Sequence, residues 1–141
     1  MDTKRYLIAV IVVFVVYSGV AYPIHQVLLR SDYESLEAVR EFAEFTKRVP
    51  LLYLANLIFS LAFCFIYIQG YEPNKHWLRQ GVRYGLVVAT LLAPMALIGY
   101  VALPIPLLLA LKLIVLNYVH LVITALVAAG VYQTPPLPLP A

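Results

Sequence analysis

The stretch LKLIVLNYVHLVIT, residues 111–124, decides the fold because it is apolar enough to cross a membrane yet carries polar residues. It lies within a longer apolar run over 106–132, and about 20 apolar residues are enough to span a hydrocarbon core of about 30 Å. Asn117, His120 and Thr124 follow one another at intervals of three and four residues. That spacing places them on one helix face, which we expect to point into a bundle and not into lipid.

The whole chain shares this apolar character. Its 141 residues are 63% hydrophobic and 12% charged, against about 45–50% and about 25% in soluble domains. Three further apolar runs cover about 6–29, 50–69 and 82–103. Because spanning backbone must satisfy its own hydrogen bonds and no barrel-like alternation is present, we expect helices. The sequence predicts an all-α membrane protein, an antiparallel bundle of four transmembrane helices in one domain over 1–133, followed by a proline-rich tail over 134–141.

Basic residues predict the orientation of the chain. Lys4 and Arg5 precede the first span, while Lys75, Arg79 and Arg83 lie between the second and third spans. Lysine and arginine near span ends are retained on the cytoplasmic side, so we expect both termini to be cytoplasmic. The net charge of +3 is explained by these clusters beside apolar segments, so we expect no nucleic-acid partner.

The segment SDYESLEAVREFAEFTKR, residues 31–48, predicts an amphipathic surface helix over about 32–48. Ser31 and Glu34 form a capping-box pattern, in which each side chain satisfies a backbone N–H of the first turn. Acidic residues recur at helical spacing on one face, and we expect that face to contact water or a partner protein. A divalent-cation site is the alternative, but the Glu-x-x-His pairing of di-iron helices is missing, and no metal is assigned. The acidic face consists of Glu34, Glu37, Glu41 and Glu44.

The segment IQGYEPNKHWLRQGVRYGL between spans two and three predicts a turn at the membrane surface. Trp77 is placed as an interfacial anchor, and Lys75, Arg79 and Arg83 are placed to contact anionic lipid or a partner. Lys112 lies one to two turns inside span four, where its long stem can reach the headgroups. A contact with an anion or with a partner's carboxylate is the alternative for Lys112.

Polar residues on other spans could lie beside the polar face of span four. We call this predicted set of polar residues the polar seam. Span one carries His25, span two carries Asn56 and Ser60, and span four carries Asn117, His120 and Thr124. Hydrogen bonds between membrane helices are ordinary and stabilise by about 1 kcal/mol or less each. The seam therefore predicts either such bonds or a pathway for a solute.

The two histidines within spans raise the question of a cofactor. Histidine is a common axial ligand of haem, and a chlorophyll is also conceivable. At 1.5 Å per residue, His25 lies about 10 Å from the membrane centre and His120 close to it, so we do not expect both to bind one iron. His120 alone remains a candidate axial ligand, proton relay or solute contact, with an interhelical hydrogen bond as the simpler interpretation. No cofactor is identified, and none is expected to be covalently bound.

Several glycine, proline and aromatic motifs resemble those of another group of proteins. YIQGYE (67–72), GVRYGL (81–86), PMALIGYVALPIP (94–106) and VLLRSDY (27–33) are similar to segments of small bacterial four-span proteins that form a family of unknown function. The resemblance covers most of the chain. It implies a four-helix protein of the bacterial inner membrane. It does not supply a catalytic residue or a substrate.

No catalytic signature accompanies these features. The sequence has no nucleophile with an adjacent base and no glycine-rich phosphate cradle, and its single Cys64 excludes an intrachain disulfide. We therefore expect a non-enzymatic membrane protein that contacts lipid and either other membrane subunits or itself. The leading hypothesis is an accessory or structural subunit of a larger membrane complex. The alternative is a small homo-oligomeric transporter or channel around Asn117 and His120, and a haem- or pigment-binding redox protein comes third.

Overall fold

The described part of the chain forms four long helices and two short helical segments. The computed structural model describes residues 2–36 and 42–133. Its elements are α1 Thr3–Pro23, a π-helical turn Ile24–Leu28, α2 Arg30–Glu34, α3 Phe42–Gln69, α4 Trp77–Ala102 and α5 Leu107–Tyr132.

Four of these helical segments are long and apolar enough to cross a membrane. The spans are Thr3–Leu28, Glu44–Gln69, Trp77–Ala102 and Leu107–Tyr132, each of 26 residues with mean hydropathy between 2.1 and 2.4. Because about 20 such residues cover the hydrocarbon core, the chain is an integral membrane protein. The predicted fold class is confirmed, including a short helix between the first two spans.

The boundaries between the first two spans differ from the sequence prediction. The short helix α2 ends at Glu34, and the next described helix, α3, already begins at Phe42. Residues 42–48 therefore start the second long helix and do not end a surface helix. Pro50 lies inside α3. The helix tolerates it because proline removes one backbone hydrogen bond and the turn is exposed, so solvent can replace that bond.

The long helices pack in antiparallel pairs around α5. This helix contacts α4 and α1, and α1 also contacts α3. Arg5 Nη1 donates to the Gln133 carbonyl at 2.5 Å, which joins the start of α1 to the end of α5. We call this end, where α4 also starts, the Trp77 end. The opposite end, where α1 finishes and α5 starts, is the α2 end.

Two glycines allow α4 to lie unusually close to α5. A Cβ at Gly85 would come within 2.7 Å of the Val122 Cα, and one at Gly81 within 3.0 Å of the Leu126 Cα. Small residues four apart let membrane helices approach to backbone contact, where dispersion forces are strongest. The pattern GVRYG, residues 81–85, carried this signal in the sequence, but the sequence prediction did not use it.

Aromatic rings fill the core between α1, α3 and α4. Tyr17 stacks on Phe59 with ring centres 4.5 Å apart, and Phe63 lies 4.7 Å from Tyr84. The Tyr84 hydroxyl donates to the Phe63 carbonyl at 2.7 Å. In the part of the chain that the structure describes, the buried hydroxyl of Tyr67 has no hydrogen-bond partner. These rings join α3 to α4 toward the Trp77 end.

Candidate functional site

A π-helical turn at the end of span one positions His25. Pro23 lacks an N–H and cannot donate to the preceding turn, and Leu29 N–H donates to the Ile24 carbonyl at 3.0 Å across five residues. Single π-turns inside helices occur frequently at functional sites. His25 Nδ1 lies 2.8 Å from the Tyr33 hydroxyl, and their rings stack at 5.9 Å. The turn thereby ties span one to α2.

The short helix α2 folds back over the end of the bundle. Lys112 Nζ lies 2.9 Å from both carboxylate oxygens of Asp32, and Asp32 is only 21% exposed. Burial, followed by the nearby Asp32 carboxylate, raises the pKa of Tyr33, so its hydroxyl keeps its proton. Lys112 therefore contacts a carboxylate of its own chain, whereas the sequence led us to expect headgroups or, as the alternative, an anion or a partner's carboxylate. An apolar cluster packs beneath, with Leu29 and Leu109 buried and Tyr33, Leu36 and Ile105 packed against them.

We expect the Asp32–Lys112 pair to contribute a measurable coupling energy. Replacing each residue alone and then both together, as Asp32→Asn and Lys112→Met, isolates the pairwise interaction. Since Lys112 is 42% exposed, screening limits the coupling to about 0.5–1 kcal/mol. The measurement is the free energy of unfolding in detergent. Additive effects of the two substitutions would mean that Lys112 only extends toward the headgroups.

His120 is held by the backbone of α1. Its Nε2 lies 2.9 Å from the Tyr17 carbonyl oxygen, and its ring stacks on the Tyr17 ring at 4.3 Å. Because a carbonyl oxygen accepts only, Nε2 must carry the hydrogen, and in the neutral ring Nδ1 is left as an acceptor. Any further partner of His120 must therefore bind at Nδ1, either as a hydrogen-bond donor or as a metal.

A cavity between α4, α5 and the end of span one brings three of the predicted seam residues together. Its volume is about 370 Å³, within the range of small-molecule sites. His25 enters it from the π-helical turn, whereas Asn117 and His120 enter from α5. His25 and His120 thus line one cavity although they lie at different depths of the helices. The apolar wall consists of Ile24, Leu92, Ala93, Met95, Ala96, Leu113, Ile114 and Leu116.

The remaining seam residues are tied elsewhere. Asn56 Nδ2 donates to Ser18 Oγ at 3.1 Å and joins α3 to α1. Ser60 Oγ donates to the Asn56 carbonyl, and Thr124 Oγ1 donates to the His120 carbonyl, so both bond within their own helices. Of these three residues, only Asn56 bonds to another helix. The other three seam residues, His25, Asn117 and His120, line the cavity.

The charged residues expected to contact lipid or a partner are mostly paired within the chain. Glu34 pairs with Arg30, and Glu44 pairs with Lys47 and Arg48. Glu37 and Glu41 of the predicted acidic face lie outside the described residues. The described carboxylates of that face are locally neutralised.

The link between α3 and α4 is organised by Glu72. Lys75 and Arg83 both approach its carboxylate, at 2.7 and 3.5 Å, and the hydrogen bond from Lys75 lowers the pKa of Glu72. Arg79 is exposed. Trp77, predicted as an interfacial anchor, lies against α5, since a Cβ at Gly130 would come within 3.7 Å of its ring. It therefore also joins α4 to α5.

Sequence reasoning missed several residues that shape these sites. Asp32 and Tyr33 were counted as surface residues, and Tyr17 contributes through its backbone carbonyl, for which side-chain patterns give no signal. Buried Gln80 bridges the link after α3 and was not singled out either. Gln80 lies one turn inside α4 but just ahead of the predicted third span, so sequence patterns carried no clear signal for it.

The wider comparisons identify no family. No family model, curated protein or solved structure matches the chain. The resemblance to small four-span bacterial proteins therefore stays an expectation. Within residues 2–36 and 42–133, no three His, Cys, Asp or Glu side chains are grouped as a metal site would require, and Cys64 is buried in the core.

Proposed function

We propose that the chain is a non-catalytic, accessory or structural subunit of a larger membrane complex. The observation that carries this proposal is the one-sided packing of α3, whose apolar residues near the α2 end are largely exposed. Leu51 is 65% exposed, Leu54 51% and Ile58 59%. On the other side of the helix, Asn56 bonds to Ser18 of α1 and Ser60 is buried. We propose that a transmembrane helix of another subunit covers this exposed face.

The start of α3 supports the same proposal. Between Phe42 and Pro50 the helix continues for eight residues, about 12 Å, before the apolar part of the span. Glu44 forms ion pairs there with Lys47 and Arg48, so this extension carries mixed charge. Charged groups of both signs on a rigid helix fix the orientation in which a partner binds more than they increase its affinity.

The test is the composition of the particle obtained by extracting the native protein in a mild detergent. We expect it to contain other membrane proteins in fixed stoichiometry, measured by native mass spectrometry. A particle that contains only this chain would contradict the subunit role.

Two matched variants locate the contact. Ile58→Trp adds bulk to the exposed face of α3, and Val87→Trp adds the same bulk to α4, where Val87 is 61% exposed. We expect Ile58→Trp to reduce the co-purifying protein about tenfold, the equivalent of 1.4 kcal/mol, and Val87→Trp to leave it unchanged. Equal effects of the two variants would argue against α3 as the docking face.

The proposal includes a bacterial inner membrane with both termini cytoplasmic. Its support is the location of basic residues at the Trp77 end, where Arg5 contacts the end of α5 and the link between α3 and α4 carries Lys75. Retention of such residues on the cytoplasmic side would orient the whole bundle.

A small homo-oligomeric transporter or channel is the second candidate. The cavity lined by His25, Asn117 and His120 favours it, because polar residues within membrane spans mark solute pathways. Against a continuous pathway, Asn56, Ser60 and Thr124 are engaged in hydrogen bonds inside the bundle. Proton flux into liposomes that contain the purified protein tests it, since Asn117→Ala or His120→Ala should change that flux.

A further inference from the structure

We infer that the cavity between α4, α5 and the π-helical turn binds a neutral, lipid-soluble molecule with an apolar body and a single hydroxyl head. The inference goes beyond the proposed subunit role, and neither depends on the other. It stands on the shape of the cavity, on the polar atoms in its wall and on the balance of charge around it.

Water is a poor occupant of this cavity. At about 30 Å³ per molecule, about 370 Å³ corresponds to about a dozen waters, and each needs two to four polar partners. Among the described residues, the wall contains three polar ones, His25, Asn117 and His120, together with eight apolar residues. An apolar body therefore fills most of the volume, and its source is the bilayer in which the helices lie.

The polar wall recognises a hydroxyl. Asn117 lines the cavity, and its amide makes no hydrogen bond with the described residues. His120 Nε2 is engaged by the Tyr17 carbonyl, so its Nδ1 is an acceptor. A hydroxyl can donate to that nitrogen and accept from the Asn117 amide at once, whereas a ketone oxygen can only accept.

The electrostatics favour a neutral head. The nearest ion pair, Asp32 with Lys112, is closed on itself at 2.9 Å, and His25 is bonded to the neutral Tyr33 hydroxyl. No unpaired charge among the described residues at this end is left to hold an ionised head. The α4 residues that line the cavity lie on both sides of Pro94. Proline has no N–H to donate to the Thr90 carbonyl, so α4 is locally less constrained beside the cavity.

The test uses a photoreactive long-chain alcohol, 1-dodecanol carrying a diazirine, added to the purified full chain in detergent. We expect saturable labelling at Leu92, Met95 and Leu113, reduced about fivefold by Asn117→Leu, the equivalent of one hydrogen bond of about 1 kcal/mol. Unlabelled 1-dodecanol should suppress the labelling at about a fivefold lower concentration than 2-dodecanone, which lacks the hydroxyl donor.

Two bulky variants separate this site from general contact with lipid. Ala96→Phe fills the cavity without touching its polar residues and should abolish the saturable labelling. Ala55→Phe adds the same ring to an exposed position of α3 and should leave it unchanged. Unsaturable labelling spread over all lipid-facing helices, or equal competition by the alcohol and the ketone, would overturn the inference.

Discussion

Gly85→Ala destabilises the protein, although alanine is the better helix former. The new methyl group would lie 2.7 Å from the Val122 Cα and 3.0 Å from the Leu121 carbonyl oxygen. Both obstacles are backbone atoms, so α4 and α5 must separate. Overpacking of this kind costs about 1–3 kcal/mol. We expect a net loss of about 2 kcal/mol in the free energy of unfolding, and a larger loss for Gly85→Leu.

Gly19→Ala is the matched control. A Cβ at Gly19 would have nothing within 4 Å, so the same chemical change in α1 should be neutral or slightly stabilising. The measurement is unfolding in mixed micelles with increasing SDS, followed by helical circular dichroism. Equal midpoints for the two variants would show that α4 and α5 do not depend on their close approach.

Gln80→Leu loosens the link between α3 and α4. The Gln80 side chain accepts from Glu72 N–H at 2.8 Å and donates to the carbonyls of Glu72 and Lys75 at 3.0 and 2.8 Å. Leucine has a similar size but makes none of these bonds. At about 1 kcal/mol per hydrogen bond, we expect a loss of about 2–3 kcal/mol, together with faster hydrogen exchange in residues 70–76.

Two comparison variants define the cause. Gln69→Leu changes an exposed glutamine at the end of α3 and should alter stability by less than about 0.5 kcal/mol. Gln80→Glu keeps the acceptor for Glu72 N–H but replaces the donor to the two carbonyls, so it should also destabilise the link. Exchange as slow in Gln80→Leu as in the parent protein would contradict the bridging role.

Prediction from sequence succeeded where the determining forces are local. Each span follows from the length of an apolar run. Asn117, His120 and Thr124 were expected from their spacing to share one helix face, and the first two line the same cavity. Prediction was less accurate between spans one and two. The second span was expected to begin at about residue 50, whereas α3 begins at Phe42 and passes through Pro50, because an exposed helix end tolerates one missing hydrogen bond.

The candidate cavity was only partly visible in the sequence. Its three polar residues all belonged to the predicted seam, but Asn56, Ser60 and Thr124 were grouped with them. Side-chain spacing cannot tell a residue that bonds back to its own helix, as Thr124 does, from one that faces a cavity. Which of its residues face the cavity depends on how each helix is rotated about its axis relative to its neighbours.

The sequence by itself determined a membrane protein with four helical spans, since bilayer thickness and backbone hydrogen bonding leave few other solutions for such apolar runs. Only the tertiary structure decided which polar groups meet. Asp32 pairs with Lys112 across 80 residues, and His120 bonds to Tyr17 across 103. Such contacts depend on how four helices pack together, and packing is a property of the surfaces that meet and not of any one segment.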